Sequence, residues 1–458
     1  MAAPQPEALA ELASLLPDGV LTRTPEALEK YRYDGSRDLA AEPPVACVRA
    51  ESTDHVVATL RWASAHGVAV VPRGAGTGLS GGASGQREAI TLSTERMRTS
   101  TVDPATRTVR VEAGALNAEV KAAAAAHGLW YPPDPSSYET CSIGGNIATN
   151  AGGLCCVKYG VTADYVLGLE VVLADGTLLT LGGTHVKDVA GLALMPLFVG
   201  SEGTLGVITA ATLRLVPAPH PAATLVATFP TVRAAADAVV AIGSQVAASM
   251  VELLDHASIN AVEDYAPMGL DRSAGALLLC RSDAVGTTRD AEIATMLRAC
   301  EESGATEVFS TDDPAEGEMF MQARRLALPA LEQRGRVLLE DVGAAVPLLP
   351  DLLARIEAIA QSRGVAIPVV AHAGDGNTHP IIVVDATDPE GEAKAQAAFA
   401  DIMAAAVEIG GTITGEHGVG RLKRAALPAQ LGPEVMAVTR RVKDALDPFG
   451  ILNPGVLL

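Results

Sequence analysis

Aromatic residues are scarce: Phe, Trp and Tyr make up 3% of a 458-residue chain that is 48% hydrophobic. Its core must therefore be packed from Ala, Val, Leu and Ile. Positive charge is also in deficit, with 34 Lys and Arg against 54 Asp and Glu, a formal net charge of −20. That balance excludes a sequence-independent nucleic-acid partner, which needs clustered basic residues against phosphate. It also excludes a polybasic membrane anchor. The acidity favours solubility and names no ligand. The six cysteines (Cys47, Cys141, Cys155, Cys156, Cys280, Cys300) form no Cys-x-x-Cys pair. A disulfide framework, a thiolate zinc site and an iron–sulfur cluster are therefore not expected, and a reducing cytoplasmic compartment is. No secretory signal is expected either, because the start lacks a basic region and its apolar stretch is cut by Pro17 and Asp18. Long lipid-facing runs are missing too. The uncharged stretch 140–157 is rich in Gly and Asn, and 215–232 contains Pro217, Pro219, Pro221 and Pro230.

What is present reads as α+β. The length suits two or three domains. Short apolar runs alternate with turn-rich segments from about residue 40 to 217, among them Val68–Val71, a buried strand stopped by Pro72. Leu167–Leu173 and Thr177–Leu181 flank Ala174-Asp175-Gly176 as a hairpin, and Ala118–His127 reads as a helix ended by Gly128. The Pro-rich stretch Pro217–Pro221 is the best linker candidate. Beyond it, helical patterns near Arg233–Val246 and Asp290–Glu302 alternate with strand-like runs at Ala276–Leu279 and Val365–Val370. The expected divisions are 1–217, 218–415, and a tail, 416–458, that returns to the first domain.

Three glycine-rich segments carry the binding signal. Gly76-Thr77-Gly78-Leu79-Ser80-Gly81 matches the dinucleotide fingerprint G-x-G-x-x-G literally. It is followed by Gly82-Ala-Ser-Gly85 rather than by a helix, which argues against a Rossmann site. Such a loop can still present several amides to a pyrophosphate, or be an ordinary turn. The segment 132–153 and the run Gly200–Ile208 shift the balance towards a site. Uncharged polar side chains and exposed amides suit a large neutral ring with a phosphate tail.

These segments, in this order, resemble the FAD-binding domain of flavoproteins of the vanillyl-alcohol-oxidase type. The likeness is closest to the FAD-dependent D-2-hydroxy-acid dehydrogenases, the family of D-lactate dehydrogenases and the glycolate oxidase D-subunit. The resemblance spans about residues 40–458 and implies a two-subdomain FAD-binding domain plus an α+β substrate, or cap, domain. It implies that Pro72, Arg73, Gly74, Ala75, Gly76, Thr77, Gly78, Leu79 and Ser80 wrap the pyrophosphate. Asp134, Cys141, Ser142, Ile143, Gly144, Gly145, Asn146, Thr149, Asn150, Gly152 and Gly153 would hold the flavin and the rest of the cofactor. Glu202, Gly206 and Ile208 would reach the adenine half, and Asn453 would close the site. Some relatives attach FAD through a His in the first loop. Arg73–Gly82 has none, so the FAD is expected to be non-covalent.

Three of nine histidines fall in two suggestive segments, His372-Ala-Gly-Asp-Gly-Asn-Thr-His379 and Gly415-Glu416-His417-Gly418. If Val365–Ala371 and Pro380–Val384 are strands about the turn at 374–377, His372 and His379 meet at its mouth. Two imidazoles and Glu416 would make a divalent-metal site with open positions: zinc first, with iron or manganese as alternatives. His417, adjacent to Glu416, would point the other way in an extended segment and be free to act as a base. The resemblance matches His372, His379 and Glu416 to the family's metal ligands and His417 to its base. It also points to Arg324 as the substrate-carboxylate clamp, although Met321 stands where the family has a Trp. Arg325 would be its solvent-facing neighbour.

The implied reaction is oxidation of a small D-2-hydroxy acid to the 2-oxo acid, with hydride transfer to flavin N5. D-lactate is favoured and glycolate next. Pro380-Ile-Ile and the lysine-free stretch around Leu338–Asp341 offer nothing to a second carboxylate, which leaves D-2-hydroxyglutarate as the alternative. A flavin-free metal-dependent hydrolase is the alternative of a different class. The electron acceptor would be a quinone, a carrier protein, a partner subunit or oxygen. A homodimer and peripheral membrane association stay open.

Overall fold

Chain order already separates parallel from antiparallel pairing, and the computed structural model, which describes residues 3–458, follows that division. Two compact units result. The first comprises residues 3–151, Val161–Ala218 and Glu416–Leu458, and the second comprises Gly152–Gly160 and Pro219–Gly415. Assigning all of 1–217 to one domain is therefore corrected at Gly152–Gly160, which packs within the second unit. Leu154 of that segment lies in the same apolar cluster as Leu254 and Met321.

In the first unit, Ala46–Arg49, Ala89–Ser93 and Ala69–Arg73 lie side by side as parallel strands, with Leu21–Thr22 antiparallel at the edge. Parallel pairing demands a crossover, supplied by the helix Thr53–His66. Ser52 caps this helix by accepting from the His55 amide, and Gly67 ends it at φ 62. Val48, Leu60, Trp62, Val70, Ile90 and Leu92 form the core between helix and strands. Pro72 does not stop its strand as expected. Ala69–Arg73 is the last strand in the sheet order, so a missing N–H there breaks no ladder on the open side. The C-terminal tail returns to this edge: Val70 donates to Ile451 O and accepts from the Asn453 amide, each at 2.8 Å. Asp447 holds that tail by accepting from the Ile451 and Leu452 amides.

A five-stranded antiparallel sheet completes the unit. Its hairpin Val166–Val172 and Leu178–Gly182 turns where Asp175 accepts from the Thr177 amide at 2.8 Å. The few aromatics are used here: Tyr131, Tyr165 and Phe198 are buried, and the two tyrosine rings meet edge to face at 6.0 Å.

The second unit is built on an antiparallel sheet ordered Glu307–Thr311, Ala223–Phe229, Ala276–Ser282, Met250–Asp255, Val369–His372, Asn377–Val383, Val337–Leu339. One face presents Leu254, Leu279, Val370 and Ile381 to the helices His256–Tyr265 and Pro314–Glu332. Burying each such side chain stabilises the fold by about 1.5–3 kcal/mol. Those gains offset the polar groups that share this face. No helix among the described residues is long and apolar enough to cross a membrane.

Candidate functional site

The glycine loop of the first unit leaves the strand Ala69–Arg73 at Gly74. A Cβ at Gly74 would fall onto the Ser142 hydroxyl, which accepts from the Ala75 amide at 3.1 Å. Gly76 turns the chain at φ 76. Arg73 is buried, and its guanidinium donates to Ala83 O at 2.8 Å and Tyr33 O at 2.9 Å, so it braces the loop from behind. The amides of Gly76, Thr77, Gly78, Leu79 and Ser80 find no acceptor within the described residues. Consecutive donors that the protein leaves unspent are what an anionic phosphate tail requires, and the loop fits the pyrophosphate of FAD.

Ser142 also caps the short helix Ile143–Thr149, which contains Gly144, Gly145 and the buried Asn146. Cys141 is buried, and burial pushes its thiol up, which removes it as a nucleophile. Thr149 donates to Gly145 O, and Asn150, at φ 52, accepts from the Ala163 amide. Asp134 is half-buried in the loop after Leu129–Trp130. Gly152 and Gly153 belong to the second unit.

Of the residues expected near the adenine half, Glu202 and Asn453 meet at the tail, whereas Gly206 packs against Val171 and Phe198. Asn453 donates to Gly82 O and Glu202 O at 2.8 and 2.7 Å. Ile208 is buried in the strand Val207–Arg214, directly after Gly206. The Glu202 carboxylate accepts from the Val419 and Gly420 amides at 2.8 and 2.7 Å. Its side chain therefore holds the segment after His417. Burial pushes the Glu202 carboxyl up to about 7, against the opposing pull of those two amides. Ser80 adds a second tie by donating to His417 O at 3.1 Å. Glu416 and His417 do not lie in an extended strand, and their side chains do not diverge as expected. The chain bends there, and His417 Nε2 approaches Glu416 Oε1 at 3.7 Å.

In the second unit the strands are Val369–His372 and Asn377–Val383, so the turn is shorter than expected and His379 sits inside a strand. His379 pairs with Val370 and His372 with Asn377. His379 and His372 are thus diagonal neighbours on one sheet face, with ring centroids 5.0 Å apart at 88°. Each offers a ligand nitrogen within 4.8 Å of the other's.

Two carboxylates that sequence reasoning missed stand behind these rings. Glu252, fully buried, accepts at Oε1 from His372 Nδ1 at 2.8 Å and at Oε2 from Arg324 Nε at 2.7 Å. Asp341 Oδ1 lies 3.7 Å from His379 Nδ1. Its Oδ2 accepts from Thr414 Oγ1 at 2.7 Å and from the Gly415 amide at 2.9 Å, and the chain continues directly into Glu416. At His372 the hydrogen-bonded carboxylate makes Nδ1 the donor and directs the Nε2 lone pair towards a cation. Asp341 is too far from His379 Nδ1 for a hydrogen bond, and the fit of the two imidazoles to a divalent metal rests on the spacing of their ligand nitrogens. Arg324 is buried on the helix Pro314–Glu332, and its Nη2 has no partner within the described residues. Arg325 pairs with Glu318 at the surface. A usable signal for Glu252 existed: a lone carboxylate in the apolar strand Met-Val-Glu-Leu-Leu.

Comparison with known proteins identifies the family and the fold. Residues 44–182 match the family described as FAD binding domain, and residues 218–457 match FAD linked oxidases, C-terminal domain. The chain is 39% identical to the glycolate oxidase subunit GlcD of Bacillus subtilis over 93% of this chain and 91% of that protein. It is 34% identical to the D-lactate dehydrogenase of Archaeoglobus fulgidus over 93% and 95%. It is 33% identical to the D-2-hydroxyglutarate dehydrogenase of Xanthomonas citri over 95% and 94%. Among solved structures, p-cresol methylhydroxylase with substrate bound superposes with a TM-score of 0.82, covering 98% of this chain and 96% of that one at 16% identity, a likeness of fold.

Proposed function

The chain belongs to the FAD-linked oxidases, and from that membership we propose that it oxidises a small D-2-hydroxy acid, D-lactate before glycolate, to the 2-oxo acid. The observation that carries this reading is a buried arginine joined through one carboxylate to His372, whose ring lies 5.0 Å from that of His379 on the same sheet face. Arg324 binds the substrate carboxylate through the Nη2 edge that the protein leaves unspent. His372 and His379, with Glu416, hold a divalent cation, zinc first. When bound, that cation would polarise the substrate hydroxyl and non-covalent FAD would take up the hydride from C2. His417 takes the hydroxyl proton, its backbone held by Ser80 and by the Glu202 clamp on the next residues. The hydride carries both electrons lost at C2, and the proton leaves from the hydroxyl. Gly76–Ser80 bind the pyrophosphate through their amides.

The electron acceptor would be a quinone, a carrier protein or a partner subunit. The word subunit in the name of the B. subtilis relative favours the last of these. Membership of a flavin-binding family leaves the flavin-free hydrolase without support. D-2-hydroxyglutarate is the second reading, on the strength of the X. citri relative. Against it, the segment after His379 offers only the fully buried Ile381 and Ile382. Anaerobic mixing of the purified protein with D-lactate, glycolate and D-2-hydroxyglutarate tests the proposal. D-lactate is expected to bleach the flavin band fastest. Persistence of the band with all three refutes the activity, and fastest bleaching by D-2-hydroxyglutarate reverses the substrate order.

A further inference from the structure

Glu252 takes no part in the flavin cradle or the proton transfer, yet it is fully buried in the middle of an apolar strand. Leu253 pairs with Ala371 and Leu254 with Val370, a register that sets Glu252 opposite His372. A carboxylate persists in such a place only when both oxygens are spent. Here one oxygen accepts from His372 Nδ1 at 2.8 Å and the other from Arg324 Nε at 2.7 Å.

We infer that Glu252 is a positioning residue that serves two ligands with one carboxylate. It fixes His372 as the Nδ1–H tautomer, so that Nε2 carries the lone pair for a divalent cation. Through its other oxygen it holds Arg324 by Nε and leaves Nη2 for an anion. The cation and the substrate carboxylate are therefore set by the same side chain. This inference rests on the metal and carboxylate roles proposed above for His372 and Arg324.

Glu252→Gln tests it, because the amide keeps the volume but has one acceptor. If its oxygen accepts from Arg324, its NH2 faces His372 Nδ1. The ring proton then moves to Nε2, and the lone pair for the cation is lost. Flavin-containing protein is stripped with a chelator and titrated with zinc against a competing indicator, then with manganese. Loss of a partner behind a ligating histidine weakens metal binding by about 10- to 100-fold. That loss is expected with flavin content unchanged, together with a raised KM for the hydroxy acid. Glu252→Asp retains two acceptors but cannot span both partners, and a loss of several-fold is expected; it serves as the test if the Gln variant does not fold. Zinc affinity equal to wild type in either folded variant, with only the melting temperature altered, makes Glu252 a purely structural residue and overturns the inference alone. Failure of the wild-type protein to take up either cation removes the metal from the proposed function and this inference with it.

Discussion

The loop Gly74–Ser80 and the sheet face bearing Glu252, His372 and His379, the two proposed binding regions, are built in opposite ways. In the loop the donors are backbone amides, and the side chains matter mostly by being absent: a single Cβ at Gly74 meets Ser142 Oγ. On the sheet face the chemistry is all side chain: a buried carboxylate accepts from His372 Nδ1, and a second stands 3.7 Å from His379 Nδ1. A backbone site is made by local conformation and is damaged by addition. A side-chain site is made by register between distant strands and is damaged by removal. Glu202 is the intermediate case, a buried side chain whose work is to hold two backbone amides.

The sharpest contrast comes from removing one functional side chain. His417→Asn is expected to slow anaerobic flavin reduction by about 10²- to 10⁴-fold, the usual worth of a general base. Flavin content, read from the absorption of the purified protein, should not change; normal reduction would strip His417 of its role. The next effect comes from adding a single methyl group. Gly74→Ala forces Ser142 aside and breaks its bond with the Ala75 amide. Overpacking of about 1–3 kcal/mol is expected, equivalent to FAD held about 5- to 150-fold more weakly. The fraction that retains flavin should react at the wild-type rate. Full flavin retention would mean that the loop yields, and the contrast would fail.

The smallest effect concerns the intermediate case. The Glu202 carboxyl is raised from its ordinary 4.5 to about 7 by burial. The protonated acid is thus favoured in the fold, and its contribution is complete below pH 4.5 and lost as pH rises through 7. Between those limits the slope from this one group is about 1.4 kcal/mol per pH unit. Glu202→Gln should flatten the fall of melting temperature between pH 5 and 8. Parallel curves for the two proteins would show that the carboxyl does not titrate there.

Local features were legible. The hairpin at Ala174-Asp175-Gly176 forms where the turn residues stand, because an Asp side chain bonding its own backbone needs no distant partner. The Pro-rich stretch Pro217–Pro221 contains the passage between units at Ala218 and Pro219. The histidine turn was legible as a turn, but its strands were set too far out: His379 lies within a ladder whose register depends on both partners. Gly152–Gly160 went to the other unit because Leu154 is buried by Leu254 and Met321, residues that no local pattern connects to it.

The sequence by itself determined where the glycines interrupt side-chain cover, where the histidines cluster, and that the core would be aliphatic. Each of these depends on residue type and short spacing. Only the tertiary structure decided that Glu252 stands behind His372, 120 residues away, and reaches Arg324, 72 residues away. Pairing of that kind follows from which strands become neighbours and in which register. Those choices are made by burial of whole faces and not by any segment alone.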